Sequence, residues 1–249
     1  MRFQHVLVVG AGQMGGGIAQ VVAASGRRVS LHDAALGAVE RGLETMRKSL
    51  ARLEEKGGSP ADEVLARVQP VDDLVPADLM VEAVVEDAEV KEDVFRRADR
   101  DRVIGMHFFN PVPVLELVEV VRGRETSDET AEAIIDLARE LGKTPAVAND
   151  FPGFVSNRIL MPYINEAVYA LQDGVAEVEA IDTIAKLGFA HPMGPLALAD
   201  LIGLDTCVAI MKVLQNGFDD DKYAPAPLLE EYVKQGKLGR KSREGFYIY

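Results

Sequence analysis

The fold is decided by Gly10-Ala11-Gly12-Gln13-Met14-Gly15, which directly follows the apolar run Val6-Leu7-Val8-Val9. A strand, then G-x-G-x-x-G, then an Ala-rich helix is the order typical of a dinucleotide-binding turn. Gly10 permits the tight turn, Gly12 lets the backbone approach a pyrophosphate, and Gly15 lets helix and strand pack closely. Free N–H groups at the start of the helix then face the phosphates. We predict a dinucleotide site formed by Gly10, Gly12, Gln13, Met14 and Gly15.

An acidic residue ends the second predicted strand. Asp33 follows Val29-Ser30-Leu31-His32 and lies 23 residues after Gly10. A carboxylate there can accept hydrogen bonds from the adenosine ribose, and it repels a 2′-phosphate, so the pattern favours NAD over NADP. The alternative is a purely structural glycine turn with a strand-end aspartate. The ordered succession of strand, glycines, helix and acid favours the cofactor site.

Strand-like and helix-like stretches alternate through the first half of the chain, and the pattern changes after residue 150. The strands are predicted at 6–9, 29–33, 79–84, 103–106 and 114–121, and the helices at 18–25, 36–56, 89–99 and 127–141. This alternation predicts a doubly wound α/β domain of Rossmann type, with a parallel sheet covered on both faces, over residues 1–150. From Asn157 onward the pattern is helical, which predicts an all-helical domain over residues 151–249.

The composition limits the classes of partner. Forty acidic against 27 basic side chains give a formal net charge of −13, which argues against nucleic acid or an anionic membrane as the main partner. The single cysteine, Cys207, excludes an intrachain disulfide and fits a small core residue. No apolar stretch is long enough to span a bilayer, and the chain opens directly into a strand pattern, so we expect a cytoplasmic protein. Asp219-Asp220-Asp221 lacks ligand spacing, so no metal site is predicted.

A histidine and a glutamate form a candidate acid–base pair. His107 follows the predicted strand 103–106, and ligands bind beyond the carboxyl ends of parallel strands. A hairpin-like turn at Asn110–Pro113 can bring Glu119 back alongside His107, where a carboxylate orients an imidazole and stabilises its protonated form. A strand-end histidine with a backbone partner, and a solvated glutamate at a sheet edge, are equally compatible with the spacing alone.

Four long motifs resemble those of the L-3-hydroxyacyl-CoA dehydrogenase family, and together they cover nearly the whole chain. They are His107-Phe108-Phe109-Asn110-Pro111-Val112-Pro113 with Leu117-Val118-Glu119, Asp150-Phe151-Pro152-Gly153-Phe154-Val155-Ser156-Asn157-Arg158, His191-Pro192-Met193-Gly194-Pro195 with Asp200 and Gly203-Leu204-Asp205, and Gly239-Arg240-Lys241 with Glu244-Gly245-Phe246-Tyr247.

The resemblance implies a role for individual residues. His107 matches the family's catalytic base, Glu119 its acidic partner, and Asn157 an asparagine that positions the thioester. Further positions match NAD contacts, namely Glu86, Lys91, Asn110 and Lys241. Ser49 and Lys56 match contacts to coenzyme A, although Lys56 and Lys241 are equally readable as ordinary surface charges. The resemblance also implies a homodimer formed through the helical domain.

The chain departs from the family at one place. In the family, the helix matching Glu89–Asp99 leads to a further strand and a Ser-Asn-Thr-Ser loop, whereas Asp99-Arg100-Asp101-Arg102 here joins the His107 strand directly. The serine that contacts the substrate then has no counterpart. Because losing a central strand leaves backbone groups unpaired in a buried sheet, we expect the natural protein to contain this segment and the sequence to omit it as a mobile piece. An unbroken chain there would instead predict an impaired enzyme that still binds NAD.

The implied reaction is hydride transfer between the C3 hydroxyl of an (S)-3-hydroxyacyl-CoA and NAD, with a short-chain substrate such as 3-hydroxybutyryl-CoA. Two alternatives stay open. One is a dehydrogenase of a small hydroxy acid that carries no coenzyme A, because related folds share the N-terminal fingerprint. The other is a catalytically impaired protein that binds NAD or serves a structural purpose.

Overall fold

The computed structural model describes residues 2–84 and 100–249. The chain folds into two compact units, of which the first is Met1–Asn149 and the second is Asp150–Tyr249. None of the helices in the described ranges combines the length and the apolar character that a membrane crossing requires. The helix predicted over 89–99 lies outside the described residues.

The first unit begins with a four-stranded parallel sheet in the order β3-β2-β1-β4. Its strands are β1 (His5–Val9), β2 (Arg28–His32), β3 (Val68–Pro70) and β4 (Leu79–Glu82), and its helices are α1 (Gln13–Ala24), α2 (Ala38–Glu54) and α3 (Ala61–Leu65). The β-branched residues of β1 form its centre, since Val6 and Val8 are fully buried. Crossover helices between parallel strands confirm the predicted Rossmann-type architecture.

A second, three-stranded sheet completes the first unit, in the order β5-β6-β7. It contains β5 (Gly105–Phe108), β6 (Leu117–Arg122) and β7 (Thr144–Asn149), with α4 (Asp128–Glu140) between the last two strands. β5 and β6 are antiparallel, and β6 and β7 are parallel. Phe108, Val118 and Ile134 share one core with Val6 and Leu31 of the first sheet. The single parallel sheet predicted from the alternation is thus divided in two within the described residues.

The second unit is helical, and among its described residues the β structure is limited to isolated bridges. Its helices are α5 (Ser156–Gln172), α6 (Val178–Gly188), α7 (Pro195–Ile202), α8 (Leu204–Phe218) and α9 (Pro227–Lys234). Met161, Ile164, Leu204 and Met211 lie in its core. Cys207 is fully buried there, and burial raises the pKa of its thiol to about 12, so the expectation of a small core residue is confirmed.

The observed boundaries differ from the predicted ones in ways that matter for the site. β5 starts two residues later than predicted, which places His107 inside the strand instead of just beyond it. The strand predicted over 114–121 starts only at Leu117, because the preceding residues form the loop that returns from β5. The elements α3, β3 and β7 were not predicted, since each is short or lacks a clear period.

Candidate active site

The glycine turn between β1 and α1 has the close approaches that the sequence predicted. Gly10 has φ +104°, and its N–H donates to the carbonyl of His32 at 2.7 Å. A Cβ at Gly10 would overlap the Ala83 carbonyl, whereas a Cβ at Gly12 would meet nothing within 4 Å. A side chain is therefore excluded at Gly10 by packing, and the space in front of Gly12 is open for a ligand to approach the backbone.

Asp33 is fixed against this turn. Its Oδ2 accepts the backbone N–H of Ala11 at 2.8 Å, and its Oδ1 accepts that of Ala35 at 2.8 Å. Two backbone donors hold the half-buried carboxylate beside the glycines, where it can also accept hydrogen bonds from a ribose. The turn and the carboxylate together fit the adenosine diphosphate half of a dinucleotide.

His107 and Glu119 face each other directly across the antiparallel pair β5 and β6. The His107 Nδ1 and the Glu119 Oε2 are 2.7 Å apart, and the two side chains are 29% and 4% exposed. The Phe109 ring lies 4.7 Å from the imidazole, centroid to centroid. Because the acceptor is a buried carboxylate, Nδ1 carries the proton toward Glu119, which leaves Nε2 as the nitrogen that can exchange a proton with a substrate.

The start of α1 is linked to the loop after β5. Gln13 Nε2 donates to Asn110 Oδ1 at 3.1 Å, which brings together two of the predicted NAD contacts. Met14 packs half-buried against the core of the first unit. The glycine turn and the His107 strand therefore lie next to each other, as a site that joins a cofactor to an acid–base group requires.

A cleft of about 640 Å³ opens in the first unit beside this loop. Lys56, just past the end of α2, lines it together with Leu53, Pro113, Val114 and Lys143. Of the two predicted contacts to coenzyme A, Lys56 thus lies at a cavity, whereas Ser49 is a half-buried residue of α2 that does not belong to the lining.

The remaining predicted site residues lie elsewhere. Asn157 is in the first turn of α5, and Lys241 is in a short 3₁₀ helix, where its ammonium is ion-paired with Asp205. Both belong to the second unit. Glu86 and Lys91 lie outside the described residues. No cluster of potential metal ligands occurs in residues 2–84 and 100–249, and Asp220 accepts the N–H of Lys222 in a local turn.

Two contacts of the site were missed by the sequence analysis. The Ala11 N–H that holds Asp33 has no side-chain signal, because backbone donors are not visible in a sequence. Lys143 donates its ammonium to two carbonyls of the loop between His107 and Glu119. Lysine is mostly an exposed residue, and nothing in its neighbours Gly142 and Thr144 indicates burial.

Similar proteins match this chain along its length. A probable 3-hydroxybutyryl-CoA dehydrogenase of Deinococcus radiodurans is 51% identical, covering 97% of this chain and 99% of that protein. A probable 3-hydroxybutyryl-CoA dehydrogenase of Bacillus subtilis is 48% identical, covering 100% and 98%. The crystal structure of (S)-3-hydroxybutyryl-CoA dehydrogenase from Ralstonia eutropha is 42% identical, with a TM-score of 0.93 and 99% of both chains covered.

The relatives are longer than this chain at one internal place. The alignment with the Bacillus subtilis protein has 282 positions, which exceeds the 249 residues of this chain by 33. The full sequence of 249 residues continues from Asp99 directly to Arg100-Asp101-Arg102 and contains no such segment. The segment is therefore missing from the sequence itself. Our expectation that the protein contains it as a mobile piece is wrong. Its loss accords with the division of the sheet, because within the described residues β4 pairs only with β1 and β5 only with β6.

Two family models together span the chain. The model of the 3-hydroxyacyl-CoA dehydrogenase NAD binding domain matches residues 5–101 and 96–151, in two pieces that meet where the segment is missing. The model of the 3-hydroxyacyl-CoA dehydrogenase C-terminal domain matches residues 153–249. The chain belongs to the 3-hydroxyacyl-CoA dehydrogenase family.

Proposed function

We propose that this chain is an NAD-dependent dehydrogenase of short-chain (S)-3-hydroxyacyl-CoA thioesters, with 3-hydroxybutyryl-CoA as the substrate of choice. The observation that carries the proposal is the His107–Glu119 pair, a buried carboxylate 2.7 Å from an imidazole on the facing strands β5 and β6. The loop that joins these strands contacts the start of α1 through Asn110 and Gln13. The names of the relatives support the substrate class.

The chain's own residues handle the proton and the alignment. Asp33 and the glycine turn hold the dinucleotide, and Glu119 fixes the ring of His107. His107 Nε2 takes the proton of the C3 hydroxyl, and Glu119 stabilises the resulting imidazolium. NAD, when bound, accepts the hydride that leaves C3.

Substrate positioning falls to residues outside this pair. We assign Asn157 to the thioester and Lys56, as a point charge, to a phosphate of coenzyme A. We assign Ser49 to a contact with coenzyme A as well, although only Lys56 of the two lines the cleft.

Reduction of acetoacetyl-CoA by NADH tests the function, with free acetoacetate as the comparison. We expect turnover of the thioester and negligible turnover of the free acid, whereas efficient use of free acetoacetate would favour the dehydrogenase of a small hydroxy acid. His107→Gln should lower kcat by roughly 10²- to 10⁴-fold, the usual worth of a general base, at unchanged affinity for NADH. His5→Gln is the matched control, because His5 contacts Ser30 in the sheet. Near-normal turnover by His107→Gln would contradict the proposal.

The missing segment favours a second candidate, a protein that binds NAD without efficient turnover. The serine of the family's substrate contact has no counterpart in the sequence, and among the described residues β4 and β5 lie in separate sheets. The experiment is to insert the corresponding segment of the Deinococcus radiodurans relative between Asp99 and Arg102. If the native chain binds NADH but turns over only after the insertion, the second candidate is correct; if the native chain is already as active as the relative, it is excluded.

We further propose a cytoplasmic homodimer formed through the second unit. Large apolar side chains are exposed on and just after α6, with Ile184 55%, Leu187 82% and Phe189 60% exposed. Exposed apolar patches mark association sites. Leu187→Glu should shift the mass measured by light scattering from dimer to monomer, and a wild-type protein that is already monomeric would refute the proposal. A single cysteine, which needs no oxidising compartment, supports the cytoplasm, and cell fractionation tests it.

A further inference from the structure

A buried lysine contacts the loop between His107 and Glu119. Lys143 is only 8% exposed, and its Nζ donates to the carbonyls of Val112 at 2.6 Å and Leu115 at 2.8 Å. Burial lowers the pKa of its ammonium, an effect that the nearby Glu116 opposes. Lysines are almost never buried unless they are paired, so this one is held by the hydrogen bonds that it makes.

The two carbonyls belong to the loop that joins His107 to Glu119. Within this loop the N–H groups of Val114 and Leu115 both donate to the Pro111 carbonyl at 3.0 Å, and the two prolines have no N–H to offer. The loop therefore has few backbone hydrogen bonds of its own. The Val112 side chain also anchors it, since Val112 is 2% exposed and packs where Gly17 of α1 leaves room, and Asn110 accepts a hydrogen bond from Gln13.

The backbone of Lys143 is itself fixed. Its N–H donates to the carbonyl of Ala138 near the end of α4. The N–H of the next residue, Thr144, donates to the Glu116 carbonyl, and Thr144 pairs with Leu117 where β6 and β7 begin. The backbone of Lys143 thus lies between the end of α4 and the start of β7, and its ammonium binds the loop in front of β6. A shift of the loop can displace the ends of β5 and β6 that carry His107 and Glu119, because the loop connects these two strands.

We propose that Lys143 is a positioning residue, whose ammonium holds the loop after β5 so that Glu119 stays in hydrogen-bond contact with His107. The inference rests on the proposed function, in which this pair moves the proton. Lys143 touches neither substrate nor cofactor in this role and acts through the loop.

Two other roles give different results. Lys143 also lines the cleft that contains Lys56, so a direct contact with the substrate would raise the KM for the thioester at unchanged kcat. A purely structural lysine would lower the melting temperature and leave kcat, KM and the pH profile of the folded protein unchanged.

The experiment compares Lys143→Met, Lys143→Arg and the wild type in reduction of acetoacetyl-CoA by NADH. Lys48→Met is the control, because Lys48 is an exposed lysine of α2 that pairs with Glu44. We expect Lys143→Met to lower kcat by about 10- to 100-fold, the usual effect of a small misplacement of reacting groups, with KM changed less than kcat. In this direction His107 gives its proton to the substrate, so the alkaline limb of the pH profile should move to lower pH, since a displaced carboxylate stabilises the protonated imidazole less. Lys143→Arg, which keeps the charge, should recover part of the loss.

A readout independent of turnover separates failure of this inference from failure of the proposed function. The chain has four histidines, so the imidazole resonances can be assigned in the full chain by nuclear magnetic resonance, with His107→Gln identifying the signal of interest. We expect the His107 resonances and their pH titration to change in Lys143→Met and not in Lys48→Met, even if the wild type proves inactive. Unchanged His107 resonances, an effect on KM alone, or failure of both Lys143 variants to fold would each overturn the proposal.

Discussion

Replacement of Glu119 by glutamine tests the acid–base pair without changing its shape. The change removes one negative charge from a side chain that is 4% exposed and whose Oε2 lies 2.7 Å from the His107 Nδ1. Glutamine retains an oxygen that can accept the hydrogen bond from the Nδ1–H group of His107. The orientation of the ring is therefore preserved, and what is lost is the stabilisation of the imidazolium that forms as the hydroxyl is deprotonated.

The size of the loss follows from the geometry. With charge centres about 4 Å apart and an effective dielectric constant of about 20, the attraction between imidazolium and carboxylate is about 4 kcal/mol. If about half of the positive charge has developed in the transition state, the barrier rises by about 2 kcal/mol, which corresponds to a decrease in kcat of roughly 30-fold. The KM for the thioester should change little, because Glu119 does not touch it.

The assay is the initial rate of NAD reduction with (S)-3-hydroxybutyryl-CoA, the direction in which His107 takes the proton. Glu129→Gln, at an exposed glutamate of α4, is the control. The double variant with His107→Gln completes a cycle. Because Glu119 acts through His107, the two losses should be strongly non-additive. An unchanged kcat with a raised KM, or additive losses in the double variant, would refute the reasoning.

Three further predictions concern the cofactor and the second unit. Asp33→Ala should raise the KM for NADH by roughly 10- to 100-fold, the worth of a hydrogen bond to a charged group, and should reduce the preference for NADH over NADPH. Equal use of NADPH and NADH by the wild type would contradict this prediction. Burial raises the pKa of Asp200, so its contribution to stability is present below the ordinary pKa of aspartate and is lost as the pH rises through the raised value. The free energy of unfolding in urea should therefore rise for the wild type relative to Asp200→Asn as the pH falls. An equal pH dependence of the two free energies would contradict this prediction. The Cys207 thiol, with a pKa of about 12, should resist thiolate-selective labelling at neutral pH until the chain unfolds, whereas labelling of the folded protein would disprove its burial.

Much of the first unit could be predicted from local patterns. The glycine turn and Asp33 stand in an order that only a strand, a turn and a helix satisfy, and the structure places them together. Short elements such as β3 and β7 escaped prediction, because three to six residues carry no clear period and are stabilised by their neighbours in the sheet. Boundaries shifted for the same reason, as at β5, where pairing with β6 extends the strand through His107.

The sequence by itself determined the family and the cofactor fingerprint and predicted His107 and Glu119 as a candidate acid–base pair, because these lie in long contiguous motifs. Only the tertiary structure decided how His107 meets Glu119, since their contact depends on the register of β5 against β6. It also decided that Lys143 is buried against the loop between these strands and that, among the described residues, β4 and β5 lie in separate sheets. Burial and register arise from contacts between residues far apart in the chain, and no local pattern encodes them.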